Sequence, residues 1–535
     1  MVNNLSANLI YKGINNHNNT PSIQKKNNTN FGSNNSTQDN KASYSVDNLR
    51  AYQTTGIKTS LSDKEDFAKY SEISAILEPE TRKKLSEVLH SGILLNNNSN
   101  DGSSVLDNLH KMAVEPRIQG LSAKNLVTSA IDTLHNPESI TQHFGDVPQE
   151  FYPAIYNDPD PGISSFEELD MVKEDGSFCC VAASIEYNLA KTAPAEFLRM
   201  ATGLSSESYS VTKNMKLSDI NKDRNTALYI LDSFKLPYKT DNDDNLEVTI
   251  SPDRKAIIRA RVQTSYQDGN ERSALDVLMQ SALMNISSQQ TYNSLNDSRI
   301  PGEFSPEIYR GLSEIEATFG DTIFEGKVKD YIVYQNVDIN GFLHPIINNI
   351  SAKTVMDSTV SVLSDLPNNS FSQINDRLHK QLHTDEINTQ TQNILTELQT
   401  LSSMQNNGNS PEDIPSEDAV KEFVIRQTIS NVLKENIPDI TEEQIIEITE
   451  SSFQRTMQNK VKEDIINTLN NGSNVIVGYL SGDTSGHEIT IIEAKQNETG
   501  DTIFVCNDTC DDGAEPILVS ADYLLPKMHH AIIDA

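Results

Sequence analysis

Apolar residues recur at two different periods along this chain. From Phe67 to Leu134 the spacing is helical: Phe67, Tyr70, Ile73 and Ile76 form one stripe, and Leu85, Val88 and Leu89 a second. After the polar break Asn96–Gly102, Ser122 stands where it can cap a helix carrying Leu126, Val127, Ala130 and Leu134. These patterns predict a small helical unit over 63–147. Pro148, Pro153, Pro159 and Pro161 then predict an extended passage. Beyond it Ala182, Ile185 and Leu189 share one helical face, Pro194 opens a further helix, and Gly203 is expected to end it. Residues 236–470 read as a mostly helical block. Its strongest segments are Ala274–Met284, Glu417–Leu433, and a helix opened by the capping box Thr441-Glu442-Glu443-Gln444 and carrying Ile445, Ile446 and Ile448. Asn- and Ser-rich breaks fall near 366–374 and 403–416, and no repeat of fixed period occurs.

The period changes at the end of the chain. Val475–Leu480, His487–Ile492, Thr502–Cys506, Ile517–Val519 and Ala531–Ile533 are short β-type runs with turns between them. They predict a small antiparallel sheet or half-barrel over 471–535. The fold class expected is therefore α+β. At the other end, thirteen of the first forty residues are Asn. Such a stretch buries too little apolar surface to offset the entropy of ordering, so 1–62 is expected to be a disordered tail.

Composition narrows the possible partners. The chain has 535 residues, 43 basic and 76 acidic, for a formal net charge of −33. A surface this acidic repels phosphate backbones and anionic lipid, which sets nucleic acid and membrane surfaces aside. No run reaches the roughly 18 apolar residues of a membrane helix, and no export signal is readable at the N-terminus. A cytoplasmic protein, or one exported without a readable signal, is expected. The four cysteines, Cys179, Cys180, Cys506 and Cys510, are too few for a disulfide scaffold and predict free thiols.

Three segments carry chemistry. Cys180 follows the turn Asp175-Gly176-Ser177 and precedes the small residues Ala182 and Ala183, so it falls at the start of a helix. Unpaired N–H groups there favour a thiolate. His487 follows Gly486 at the start of a β-run, and Asp508 lies just past the next run, where adjacent antiparallel strands can bring the two side by side. A nucleophilic thiol, a base and a group that orients the base are the parts of a thiol hydrolase. Cys179 is the alternative nucleophile if the helix begins one residue earlier, and Asn507 is the second choice as orienter.

The same segments resemble papain-like cysteine peptidases, most closely the bacterial branch that trims double-glycine leader peptides. The resemblance rests on Cys180-Val181-Ala182-Ala183-Ser184, Gly486-His487 with the β-run after it, Phe504-Val505-Cys506-Asn507-Asp508, and Val519-Ser520-Ala521-Asp522-Tyr523-Leu524. It covers about 150–205 and 472–535. It implies a papain-like core whose nucleophile lobe (148–235) and β lobe (471–535) are split by the helical insertion 236–470. It further implies Cys180 as nucleophile, His487 as base and Asp508 as orienter, a protein or peptide substrate, and no cofactor or metal. The chain departs from the family pattern where Glu174 stands in place of the Gln that helps bind the oxyanion, and where 307 positions separate Cys180 from His487.

Other readings stay open. Glutamine deamidases and transglutaminases use the same thioester logic. A non-catalytic interaction protein on a degenerate peptidase scaffold would suit Glu174. The four cysteines could ligate zinc, although Cys179 and Cys180 lack the usual spacer. His379 and His383 share a helix face without a third ligand, and His529 and His530 read as structural or exposed.

Overall fold

The computed structural model describes residues 44–45, 57–145, 149–151, 153, 177–265, 271–300, 302–303, 311–337, 343–346, 351–365, 384–405, 415–481, 486–510 and 515–534. Most of the Asn-rich tail, most of the proline-rich passage, Glu174, His379 and His383 lie outside them. Within the tail, Tyr44–Ser45 (β1) pairs antiparallel with Glu493–Ala494.

Four helices open the fold: α1 (Lys64–Ile76), α2 (Pro79–His90), α3 (Val105–Val114) and α4 (Ala123–His135). Asp63, Ser104 and Ser122 each accept a first-turn N–H with their side chain, so α1, α3 and α4 start where a short polar residue can satisfy an orphan donor. Ile73, Leu85, Leu109, Met112, Leu126 and Ile131 are fully buried, whereas Phe67 sits on the periodic stripe yet stays exposed. This core does not end at 147. One continuous apolar cluster runs on through α5 (Cys180–Thr192), α6 (Pro194–Leu204), and the later α9 (Ala274–Ser287) and α10 (Glu314–Glu325). The helical unit and the nucleophile segment therefore share one interior. Gly203 does not end α6 as expected. It is the penultimate residue of a helix that runs on to Leu204, and an added Cβ there would stand 3.0 Å from Val211 and 3.2 Å from the Ser210 carbonyl, so glycine eases a close approach.

Residues 211–337 hold more strand than the sequence pattern shows. β2 (Val211–Lys216), β3 (Tyr238–Thr240) and β4 (Asn245–Ile250) form a sheet in the order β2-β4-β3, with helices α7 (Arg224–Ser233) and α8 (Ala256–Ser265) nearby in the chain. Val211, Lys213 and Met215 all point inward. Lys213 is buried because Glu196 lies 3.0 Å from its Nζ, which also donates to the Phe324 carbonyl. The two-residue strands β5 (Tyr292–Asn293) and β6 (Ser298–Arg299) close a hairpin between α9 and α10. β7 (Lys329–Val333) then joins the main sheet, and β8 (Gln335–Val337) pairs with β9 (Leu343–Pro345).

Residues 236–470, expected as one helical block, thus divide between cores. The stretch through α10 belongs with α5. A separate apolar cluster joins α11 (Ala352–Ser364), α12 (Thr384–Gln405), α13 (Glu417–Asn436) and the first half of α14 (Glu442–Asn470). Thr441 and Gln444 form the expected capping box. At 29 residues, α14 is about 44 Å long. Its second half leaves the helical cluster, and Met457, Val461, Ile465 and Leu469 cover one face of the main sheet.

That sheet is antiparallel throughout, in the order β13-β12-β11-β10-β14-β7, with β1 beside β11. The five β-runs read from the sequence are β10 (Val475–Leu480), β11 (Gly486–Gln496), β12 (Thr502–Asn507), β13 (Ile517–Ser520) and β14 (Met528–Asp534). A short helix, α15 (Ala521–Leu524), follows β13. Val475, Val477, Ile489 and Ile491 face α14, while Ile476 and Ile532 face the first core. Burial on both faces explains why β10 is nearly continuous in apolar residues. The chain is mixed helix and sheet, an α+β protein.

Candidate active site

Helix α5 begins at Cys180, with Cys179 as its N-cap. The first intrahelical bond, Ala183 N to Cys179 O at 2.8 Å, leaves the N–H groups of Cys180, Val181 and Ala182 without helical acceptors. No acidic residue occupies the first turn. The positive end of a 13-residue helix is therefore directed at the Cys180 position. Asn474, just before β10, donates from Nδ2 to Asn188 Oδ1 at 2.7 Å and ties α5 to the sheet.

The two neighbouring cysteines have opposite surroundings. Cys179 is fully buried, and its thiol donates to Asp297 Oδ1 at 3.1 Å. Burial, then the Asp297 charge, push this thiol well above the ordinary range and keep it protonated. Asp297 also accepts from Tyr292 OH and, at 2.8 and 3.0 Å, from both terminal nitrogens of Arg272. Burial works against the Asp297 carboxylate, but Arg272 holds its pKa below the usual value. Cys180, by contrast, is only partly buried.

Arg272 reaches further. Its Nη2 donates at 2.8 Å to Ser177 Oγ and at 2.8 Å to the Gln142 carbonyl. Ser177 Oγ in turn accepts the Cys179 N–H at 3.3 Å. Ser177, the last residue of the turn before the cysteines, thus shapes the entry into α5. Gln142 carries the connection onward, since its N–H donates to the Thr509 carbonyl at 2.9 Å and its Oε1 accepts from Thr509 Oγ1 at 3.2 Å. A buried strap over 141–143 thereby joins the turn before Cys180 to the loop that carries Asp508.

His487 is the second residue of β11, and the register Thr490↔Asn507 puts Asp508 one step beyond the ladder, diagonal to it. His487 Nε2 donates to Asp508 Oδ1 at 2.7 Å. Asn507, the second choice, is buried and is not the residue paired with His487. The Tyr479 ring meets the imidazole edge-on at 5.8 Å between centroids. Burial opposes a charge on His487. The hydrogen bond and charge of Asp508, and then those of Cys180, overcome it and raise the imidazole pKa well above the ordinary value. Asp508 is shifted the other way: burial raises it, but His487, the Cys510 N–H and the charge of His143 bring it below the usual carboxylate range.

The structure thus brings Cys180, His487 and Asp508 together from two segments far apart in sequence. Arg272, Asp297, Tyr292, Gln142 and His143 were not foreseen. No local motif marks them: Tyr292 and Asp297 meet within one short hairpin, and the contacts that tie the group to Cys179 and to the Asp508 loop cross the fold. Among the described residues the four cysteines do not gather as a metal-ligand cluster; the cluster found there is Glu314, His529 and His530. Those two histidines are mostly buried rather than exposed. No family model matches the chain, and no curated protein or solved structure matches it.

Proposed function

We propose that this chain is a cysteine peptidase of papain-like type, hydrolysing a peptide bond through an acyl-thioester on Cys180. The observation that carries the reading is His487 held between two partners: Asp508 at 2.7 Å on one ring nitrogen, and the Cys180 side chain at the N-terminus of α5. A base so placed can take the thiol proton as the sulfur attacks and hold it for delivery to the leaving amine. The Cys180 sulfur attacks the scissile carbonyl carbon, and the carbonyl oxygen becomes an oxyanion facing the unpaired N–H groups at the start of α5. The C–N bond then breaks as His487 gives its proton to the departing amine. In the second half, His487 takes a proton from water, the hydroxide attacks the thioester, and the carbon–sulfur bond breaks to free the acid and return the thiolate. Asp508 stabilises the imidazolium and holds the ring with Nε2–H turned toward it.

A helix carrying the nucleophile, packed on an antiparallel sheet carrying base and carboxylate, supports a papain-like core. On this reading the insertion between the lobes is the helical cluster built on α11–α14. The strongly negative chain favours a protein or peptide substrate over nucleic acid, and no helix among the described residues is long and apolar enough to cross a membrane.

A peptidyl vinyl sulfone tests the site directly. Wild type should label on Cys180 far faster than Cys180→Ala or His487→Ala, each checked for folding by circular dichroism. Equal labelling of Cys180→Ala would sink the catalytic reading. Ammonia release from a protein substrate without chain cleavage would keep the thiol site and replace peptidase by glutamine deamidase.

A further inference from the structure

We propose that Glu314, His529 and His530 form a binding site for a zinc-class divalent transition metal, with Glu488 as the carboxylate that orients His530. The inference is independent of the peptidase reading and uses none of Cys180, His487 or Asp508.

Two consecutive histidines on a strand normally point to opposite faces. Here they do not, because the ladder slips. β10 pairs with β14 through Val477↔Ala531 and Gly478↔His530, but the next pair is Tyr479↔Met528. His529 is the extra residue of a β-bulge, a device that re-aims a side chain. Its Nδ1 consequently lies 2.8 Å from His530 Nδ1, with the ring centroids 4.5 Å apart. Glu314, in the first turn of α10, completes the group. Its Oε1 is 3.6 Å from His530 Nδ1 and 3.8 Å from His529 Nδ1.

Zinc bonds of about 2.0–2.1 Å in a tetrahedral site place ligand atoms roughly 3.3–3.5 Å apart. The two distances to Glu314 are close to that separation, and the two nitrogens need to part by only about half an ångström to match it. Two imidazoles and one carboxylate suit zinc, cobalt or nickel, whereas calcium and magnesium prefer all-oxygen sites.

The surroundings of His530 supply the second observation. Its Nε2 lies 3.1 Å from Glu488 Oε1. The contact is an ion pair rather than an aligned hydrogen bond, but it puts a carboxylate on the Nε2 side of the ring, where ligating histidines commonly keep an outer-shell partner, while Nδ1 faces His529 and Glu314. Glu488 is itself buried, and its Oε2 has no hydrogen-bond partner. A buried carboxylate with an unmatched oxygen is costly unless positive charge is held nearby. Gly478 makes the pairing possible, since a Cβ there would collide with both the His530 ring and the Glu488 carboxylate.

The competing occupant is a proton shared between the two Nδ1 atoms. It would account for the 2.8 Å contact but leave Glu314 beyond hydrogen-bond range of either ring. A metal engages all three. Side-chain exposures of 30% for Glu314, 13% for His529 and 2% for His530 give an open side for entry and for a fourth ligand such as water.

The test is titration of the chelator-stripped full chain with Co2+, read by visible absorption and by metal analysis after dialysis. The expected result is one equivalent bound, with d–d bands and no thiolate-to-cobalt charge transfer. Glu314→Gln and His529→Ala should each weaken binding by about tenfold or more, and Cys510→Ser should leave it unchanged. Glu314→Gln alters a solvent-reachable first-turn side chain, so the test survives if His529→Ala misfolds. Absence of uptake, a thiolate charge-transfer band, or unchanged binding in a folded Glu314→Gln would overturn the proposal.

Discussion

Replacing Asp508 by Asn tests the proposed site at its most sensitive point. The substitution keeps the size of the side chain and removes its charge. His487 Nε2 donates to Asp508 at 2.7 Å, and the pair is largely shielded from solvent. A hydrogen bond to a charged group contributes about 1.5–3 kcal/mol, which at about 1.4 kcal/mol per decade is roughly ten- to hundredfold in rate. The sign follows from the two shifts. His487 is raised mainly by Asp508, acting against burial, so losing the carboxylate lowers its pKa and leaves less imidazolium at any given pH. The folding contribution of His487 is present below its ordinary value near 6.5 and lost as pH rises through its higher folded value. That of Asp508 is present above its ordinary 3.8 and lost as pH falls through its lower folded value. Asp508→Asn should abolish both. The assay is alkylation of Cys180 by iodoacetamide across a pH series, with the site confirmed by peptide mapping. At neutral pH the variant should react roughly ten- to hundredfold more slowly, and its alkaline limb should move to lower pH. An unchanged profile, with a rate within about twofold of wild type, would refute the assignment of Asp508 as the group that charges and orients His487.

Other substitutions separate structure from chemistry. Cys179→Ala removes a donor to Asp297 but leaves Arg272 and Tyr292 in place, so urea unfolding should show a loss of about 1–2 kcal/mol while Cys180 alkylation stays within about twofold. Arg272→Met leaves the Asp297 carboxylate buried without its cation, and chemical denaturation should report about 3–5 kcal/mol of destabilisation. Burial raises Glu196, but Arg199 and Lys213 bring its pKa to about 2 from 4.5. Its stabilisation is therefore present above pH 4.5 and lost as pH falls through about 2, so the advantage of wild type over Glu196→Gln should shrink by about 2 kcal/mol between about pH 6 and pH 3.

The legible elements share one property: their signal is local. The five C-terminal β-runs, the caps at Ser122 and Thr441, and the start of α5 at Cys180 rest on patterns within a few residues. The strands β2, β3, β4 and β7 were not legible. β3 has only three residues, and β2 carries Lys213 at an inward position where the period-2 pattern calls for an apolar residue. Only Glu196 and the Phe324 carbonyl, both distant in sequence, make that burial tolerable. Gly203 misled for a related reason, because its close neighbours belong to Ser210 and Val211 across a turn.

The sequence by itself determined the α+β class, the three residues that converge and the elements that carry them, because helix starts and strand ends are written in neighbouring side chains. Only the tertiary structure decided which cysteine is tied into the interior. Cys179 and Cys180 differ in sequence context by one position, but Asp297 receives the Cys179 thiol from 118 residues away while Cys180 is left beside His487. The strand slip that turns His529 toward His530 was equally hidden, since register depends on three strands meeting. Local chemistry sets what a segment can be, and long-range contacts, which cost chain entropy and are repaid by burial, set which of its atoms face one another.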